Sequence, residues 1–268
     1  MADAISKPAS LCRPARDVFS FYEQGIPDTE FFARLAHLER AKLQSLGLTL
    51  VRATPDDIPA IEALVRSRYD ARTADEISAF DSYRYTLYGN VLTVRTSCGV
   101  IVACAYEVGY DHPDKPSYLL RLIVADHYES KGLATTLNRL SLCLAHGRGA
   151  RTRHGLIHHL NVASLYVHLN RIGGYFSSLV QTPCAGIHAH FVSARPVNAR
   201  TTAENIINDA ALDHLLDAPT LPPQLRLVDN DQLDELTEAL HHEHYVVIGL
   251  IRRSIQGQRA KLLLMRRP

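Results

Sequence analysis

The chain has 268 residues, 46% hydrophobic and 21% charged, enough for one large domain or a domain with a small accessory unit. A net charge of +1 supplies no overall field for nucleic acid or an anionic membrane. Residues 1–12 lack the apolar core of a signal peptide and no apolar run is long enough to cross a bilayer. Five scattered cysteines (Cys12, Cys98, Cys104, Cys143 and Cys184) have no paired spacing, as expected of a reducing, cytoplasmic setting.

In chain order, residues 1–47 form an N-terminal helical extension. A Pro-containing tail leads to a helix opened by Asp28-Thr29, with Phe31, Leu35, Leu38, Leu43 and Leu46 at helical spacing and Gly47 as its stop. Lying before the first core strand, this helix is expected on the substrate side. The core spans 48–196. It begins with the alternating strand Leu48–Arg52, and Thr54-Pro55-Asp56-Asp57 then offers a cap, a first-turn proline and acids for the next helix. Ile58, Ile61, Leu64 and Val65 mark that helix's inner face, and a second helix is expected over 74–87. Val91–Ser97 and Gly99–Tyr110 read as an antiparallel pair turning at Cys98-Gly99. A strand at 118–125, a helix at 132–146, a strand at 155–160, a helix at 161–172 and a closing strand at Ala185–Ala194 complete the core. The remainder, 197–268, is a C-terminal accessory segment. It carries a capping box at Thr201–Glu204, a strand (225–228), a helix (231–242) and a hairpin (245–252 with 259–266). The hairpin is expected to lengthen the core sheet or to pair with a second copy as a homodimer.

The most informative stretch is 118–176. The apolar strand Tyr118–Ala125 runs through His127-Tyr-Glu-Ser-Lys-Gly132 into a leucine-spaced helix, which sets free backbone N–H groups at a helix start where a phosphate can dock. Gly132 and Ala134 are small enough to let a ligand approach the backbone. Glu129-Ser-Lys-Gly132-Leu-Ala134 matches, in its small residues and Lys131, a pattern of Gln or Arg, two residues, Gly, any residue, and Gly or Ala. Asn161, Ser164, Tyr166 and Gly174-Tyr175 follow a second pattern of Asn, a small residue three on, a Tyr-bearing helix and a terminal Gly-aromatic pair, with about one residue extra before the glycine. With these two motifs in order, the chain resembles the GCN5-related N-acetyltransferase (GNAT) family.

The resemblance implies an α/β fold: a mixed, mostly antiparallel six- to seven-stranded sheet with helices on both faces, extended at both ends. It implies transfer of an acyl group from acyl-CoA or acetyl-CoA to the amine of a small molecule or amino acid, by direct attack in a ternary complex. The donor contacts it implies are Ile123, Val124 and Ala125 on the strand, Ser130, Lys131, Gly132, Leu133 and Ala134 in the turn, and Asn161, itself a helix cap. Tyr166 and His168 both qualify as acid toward the departing thiolate; counting from Asn161 puts His168 at the usual tyrosine position. Glu107 is the expected base, Arg121 the grip on a substrate carboxylate, and His188 and His190, on one face of a strand, the acceptor-lining pair. Glu129 departs from the pattern by placing a carboxylate where a cation or amide is usual, which repels phosphate oxygens. Two alternatives therefore stay open: an acyl carrier protein as donor, whose pantetheine arm bears one phosphodiester, and a non-catalytic sensor or assembly module. The basic C-terminal residues Arg252, Arg253, Lys261, Arg266 and Arg267 are a solvated face or a carrier-protein dock. No metal is expected, because the fourteen histidines show no recognised ligand spacing; His158 and His159 are expected on opposite strand faces.

Overall fold

A computed structural model describes residues 30–69, 86, 90–109, 116–148, 150, 152–172, 174–182, 186–194, 221, 223, 225–251 and 260–266. Nearly all of the expected 74–87 helix, and the Thr201–Glu204 box, lie outside them. Backbone packing divides the chain into two compact units, Met1–Ala150 and Arg151–Pro268.

The N-terminal unit holds helix α1 (Glu30–Ser45), strand β1 (Leu48–Arg52), helix α2 (Ile58–Arg68), strands β2 (Asn90–Thr96), β3 (Ile101–Val108) and β4 (Ser117–Val124), and helix α3 (Leu133–Gly147). The strands pair antiparallel in the order β1-β2-β3-β4. Strand alternation divides their side chains between two faces. Leu50, Leu92, Val94, Ala103, Ala105 and Leu119 pack with Ala36 and Leu43 of α1 and Leu133, Leu137 and Leu140 of α3. Val91, Cys104, Tyr106 and Ile123 pack instead with Ile61, Leu64 and Val65 of α2.

Two local devices fix this arrangement. The expected cap before α2 forms as a short 3-10 turn, with Asp57 Oδ2 accepting from the Thr54 N–H at 2.8 Å and from Arg95 at 2.7 Å. Burial pushes the Asp57 carboxyl up, but these hydrogen bonds outweigh it and hold it below its ordinary value. The β3–β4 pairing shifts between Tyr106 and Glu107, where Arg121 and Leu119 are the successive partners, so Leu120 is a bulge. A bulge adds twist and re-aims the strand beyond it, here Arg121 through Val124.

Helix α1 packs on the same face of this sheet as α3. The reason is Glu39, 3% exposed, whose carboxylate accepts from Thr136 at 2.5 Å and Arg139 at 2.6 Å, both on α3. A buried carboxylate needs such partners, and α3 offers them.

The C-terminal unit holds β5 (Thr152–His158), helix α4 (Val162–Tyr166) with a π-helical turn (Val167–Arg171), β6 (Tyr175–Thr182), β7 (Gly186–Ala194), β8 (Leu225–Asp229), helix α5 (Leu233–His241), β9 (Tyr245–Ile251) and β10 (Lys261–Arg266). Its strand order is β5-β7-β6-β9-β10-β8, antiparallel throughout. The helix expected over 161–172 is thus part α, part π. A π turn takes one residue more than an α turn, and it absorbs the extra residue seen before Gly174. The hairpin joins this sheet through Phe176 on β6 and Val247 on β9. One core holds Ile157, Leu165, Leu169 and Phe176 together with Val228, Leu236, Leu240, Leu250 and Leu262. Strand β6 was not expected from sequence. Both units are α/β as expected, but the described strands number four and six, where a sheet of six to seven was expected.

Asn170, on the π turn, donates from Nδ2 to the Leu250 carbonyl at 2.8 Å and accepts the Leu250 N–H at 2.9 Å. Its amide stands in for a neighbouring strand. Asn170→Ala leaves both Leu250 groups buried without partners and is expected to cost roughly 2 kcal/mol or more. Urea unfolding should give a lower midpoint at unchanged m-value, and an unchanged midpoint would refute the role.

Candidate functional site

The turn before α3 is built from two left-handed residues. Strand β4 ends at Val124, a 3-10 turn spans Asp126–Tyr128, and Ser130 (φ 59°) and Gly132 (φ 77°) then reverse the chain. The first bond of α3 runs from the Thr136 N–H to the Gly132 carbonyl at 3.0 Å. The N–H groups of Leu133, Ala134 and Thr135 therefore precede it and find no partner within the helix. Alternating backbone handedness of this kind aims successive N–H groups into one concavity, and the helix dipole adds about half a positive charge there.

The charges around the turn are arranged by residues that lie far off in sequence. Arg68, at the end of α2, pairs with both Glu129 and Asp126. The carboxylate that departs from the family pattern is thereby paired, with one guanidinium shared between two acids. Lys131 folds back over the Tyr128 ring, 4.4 Å from its centroid. A Cβ at Gly132 would lie 2.7 Å from Nζ of Lys42, on α1. Neither Arg68 nor Lys42 carries a local signal that would have singled it out.

On the strand, the Ala125 N–H donates to the Val102 carbonyl at 2.9 Å. Antiparallel ladders alternate, so Ile123, two residues back, also turns its N–H toward β3, while Leu122 and Val124 turn theirs away. Of the three strand residues expected to contact a thioester through the backbone, only Val124 points an N–H away from β3.

Arg121 and Glu107 are on opposite faces of this sheet. The Arg121 guanidinium lies 5.5 Å from the Tyr106 ring centroid, on the α2 face, and its NH1 is buried with no hydrogen-bond partner among the described residues. Its charge is felt at Cys104 and Tyr69. Desolvation pushes the Cys104 thiol up to about 12 despite that charge, so it is no nucleophile. Glu107 is 1% exposed and turned toward α3, with one oxygen accepting from Ser117 and the other from Ser141. It is a buried brace between β3, β4 and α3, not an acid at a solvated strand end.

In the C-terminal unit, Asn161 caps α4, its Oδ1 accepting the Ser164 N–H at 3.0 Å. His168 is buried on the π turn, and its Nδ1–H donates to the Ser164 carbonyl at 2.9 Å. Desolvation pushes its pKa down to about 3; the Ser164 bond opposes this and the charge of Arg153 adds to it. The imidazole is neutral near pH 7. Tyr166 is half-buried, with the Arg171 guanidinium 5.0 Å from its ring centroid. His188 and His190 are two apart on β7, opposite His158 and Leu156 of β5. The rings of His158 and His159 stack at 4.8 Å rather than facing apart, because β5 ends at His158. Among the described residues no cluster of His, Cys, Asp and Glu could hold a metal ion, and no helix is long and apolar enough to cross a membrane.

No protein-family model matches the chain, and no curated protein does. Solved structures similar to it include the PaiA N-acetyltransferase of Thermoplasma acidophilum in complex with coenzyme A, 11% identical at a TM-score of 0.45, covering 55% of this chain and 99% of that one. The IAA acetyltransferase of Bacillus cereus is 13% identical at 0.42, with 55% and 99% covered. The histone acetyltransferase HPA2 and related acetyltransferase of Corynebacterium glutamicum is 17% identical at 0.44, with 57% and 99% covered. These are likenesses of fold.

The depressed pKa of His168 has a measurable consequence. The unfolded chain takes up a proton at this residue near pH 6.5 and the folded chain only near pH 3, so its contribution to stability is full above 6.5 and is lost as pH falls through that window. His168→Gln should remove a pH dependence approaching about 1.4 kcal/mol per pH unit there. Urea unfolding of both proteins at stepped pH reads the difference, and parallel curves would show that His168 is not held neutral.

Proposed function

We propose that the protein transfers an acyl group from acyl-CoA to the amine of a small molecule or amino acid, by direct attack in a ternary complex. The observation that carries this reading is the turn before α3. Three helix-start N–H groups converge beside a left-handed glycine, and Arg68 pairs with the carboxylate that would repel a diphosphate. The Val124 N–H, turned away from β3, suits a pantetheine amide or the thioester carbonyl. The fold of the solved acetyltransferases accords with this reading but does not carry it.

Each side chain's chemistry suggests its role. Arg121 has a buried, unpartnered N–H on the α2 face, which suits an acceptor bearing a carboxylate. His188 and His190 belong to the same proposal as acceptor contacts. Tyr166 and His168 both stay as candidate acids toward the thiolate, with the His168 Nδ1–H donating to the Ser164 carbonyl. Glu107, engaged by two hydroxyls under α3, is a brace in this reading, and the attacking amine gives up its protons to solvent water. Positioning of amine and thioester supplies most of the acceleration.

Calorimetric and thermal-shift titration with CoA, acetyl-CoA and longer acyl-CoAs tests the donor. Saturable stabilisation is expected, about 2.7 kcal/mol at a hundredfold excess over Kd, and it should be lost in Gly132→Ala. No shift with any CoA species would overturn the reading. If CoA binds, release of free thiol with a panel of amines tests the acceptor. Arg121→Met should raise KM at least about tenfold for amines that carry a carboxylate and spare those that do not. Equal losses for both classes would remove Arg121 from the acceptor site.

A further inference from the structure

We infer that the acceptor is an amino acid with a large apolar side chain, its carboxylate held by Arg121 and its side chain packed on Tyr69, Tyr118 and Leu120. The inference rests on the proposed transfer reaction and names the class of amine that enters it.

Strand register gathers these residues. Arg121 is the partner of Tyr106 and Tyr118 the partner of Val108, so Arg121 and Tyr118 lie on the α2 face one two-residue step apart, roughly 7 Å. Leu120, between them, is the bulge. Tyr69 arrives from another element. It caps the C-terminus of α2, and Arg68, just before it, is tied to Asp126 and Glu129 beyond the end of β4. Tyr69 is thereby held near the same strand, close enough for the charge of Arg121 to be felt at its phenol.

Two observations point to a ligand rather than to core packing. The first is exposure: Tyr69, Tyr118 and Leu120 are 39%, 38% and 42% exposed, while Tyr106 and Ile123 on the α2 face are buried. One exposed apolar side chain is ordinary. Among the described residues eight large ones are exposed, and three of the eight gather around one cation. The second is Arg121 itself, whose NH1 is buried with no hydrogen-bond partner among the described residues. A buried N–H of this kind costs free energy until an acceptor reaches it, and a carboxylate supplies a charge-assisted bond.

The combination selects the acceptor. A carboxylate alone would satisfy the guanidinium but leave the apolar side chains in water. An apolar amine without a carboxylate would cover them and leave the N–H unmet. A molecule that carries both groups a few bonds apart meets both needs, and an amino acid with a large apolar side chain is such a molecule. The tyrosine rings favour an aromatic side chain, through offset or edge contacts. Lysine or a polyamine would bring a second positive charge toward Arg121.

Thiol release by the full chain tests this, with the acyl-CoA that stabilises it most as donor. The amines are glycine, leucine, phenylalanine, lysine and phenethylamine, the last being phenylalanine without its carboxylate. Phenylalanine and leucine should exceed glycine roughly 100-fold in kcat/KM, and phenylalanine should exceed phenethylamine at least about tenfold. Leu120→Ser, at an exposed position, should keep the urea midpoint and the affinity for CoA while narrowing the phenylalanine-to-glycine ratio about tenfold. An unchanged ratio in that variant, or glycine or lysine used as well as phenylalanine, would overturn the inference and leave the transfer reaction standing. No thiol release with any of these amines, from protein that binds the acyl-CoA, would bring down the transfer reading and the inference together.

Discussion

Helix α3 begins with backbone N–H groups that its own carbonyls cannot reach, and much of the N-terminal unit bears on where those groups point. The bulge at Leu120 re-aims the end of β4, and Ser130 and Gly132 adopt left-handed geometry to bring the chain round. Glu39 and Leu43 hold α1 against the same helix. A left-handed non-glycine residue such as Ser130 costs on the order of 1 kcal/mol or more, a cost that persists only where the surroundings fix the conformation. Here β4 fixes one end and α3 the other.

Charge is distributed with equal economy. The acids near the turn are paired with arginines from other elements: Glu129 and Asp126 share Arg68, and Glu39 meets Arg139. Arg121, on the opposite face, has a different environment, with Tyr106 beneath its guanidinium and one N–H unpartnered. The two faces of the sheet thus offer one place suited to a phosphate and another suited to a carboxylate.

Regular elements were legible where a single period held. The alternation of β1, the antiparallel pair of β2 and β3, the apolar run of β4, the leucine spacing of α3 and the cap at Thr54-Asp57 all read correctly from residue order, because each depends on neighbours within a few positions. Strand β6 did not, since its pairing with β7 shifts between Phe176 and Ser178 and breaks the alternation that marks a strand. The same limit applied to the site. Gly132 and the small residues around it were visible as a local pattern, and the extra residue before Gly174 announced an irregularity that the π turn accommodates. The neutrality of His168, the clamping of Glu107 and the approach of Lys42 depend on burial and on partners tens of residues away. Spacing along the chain encodes none of these.

The central claim is that the N–H groups opening α3 bind the donor's phosphate. Amide chemical-shift titration of the 15N-labelled protein with CoA tests it at the atoms concerned. The amides of Gly132 to Thr135 should move together and saturate at one Kd, the same as that measured by calorimetry. If CoA binds while these amides stay fixed, the phosphate sits elsewhere and the account of the turn is wrong.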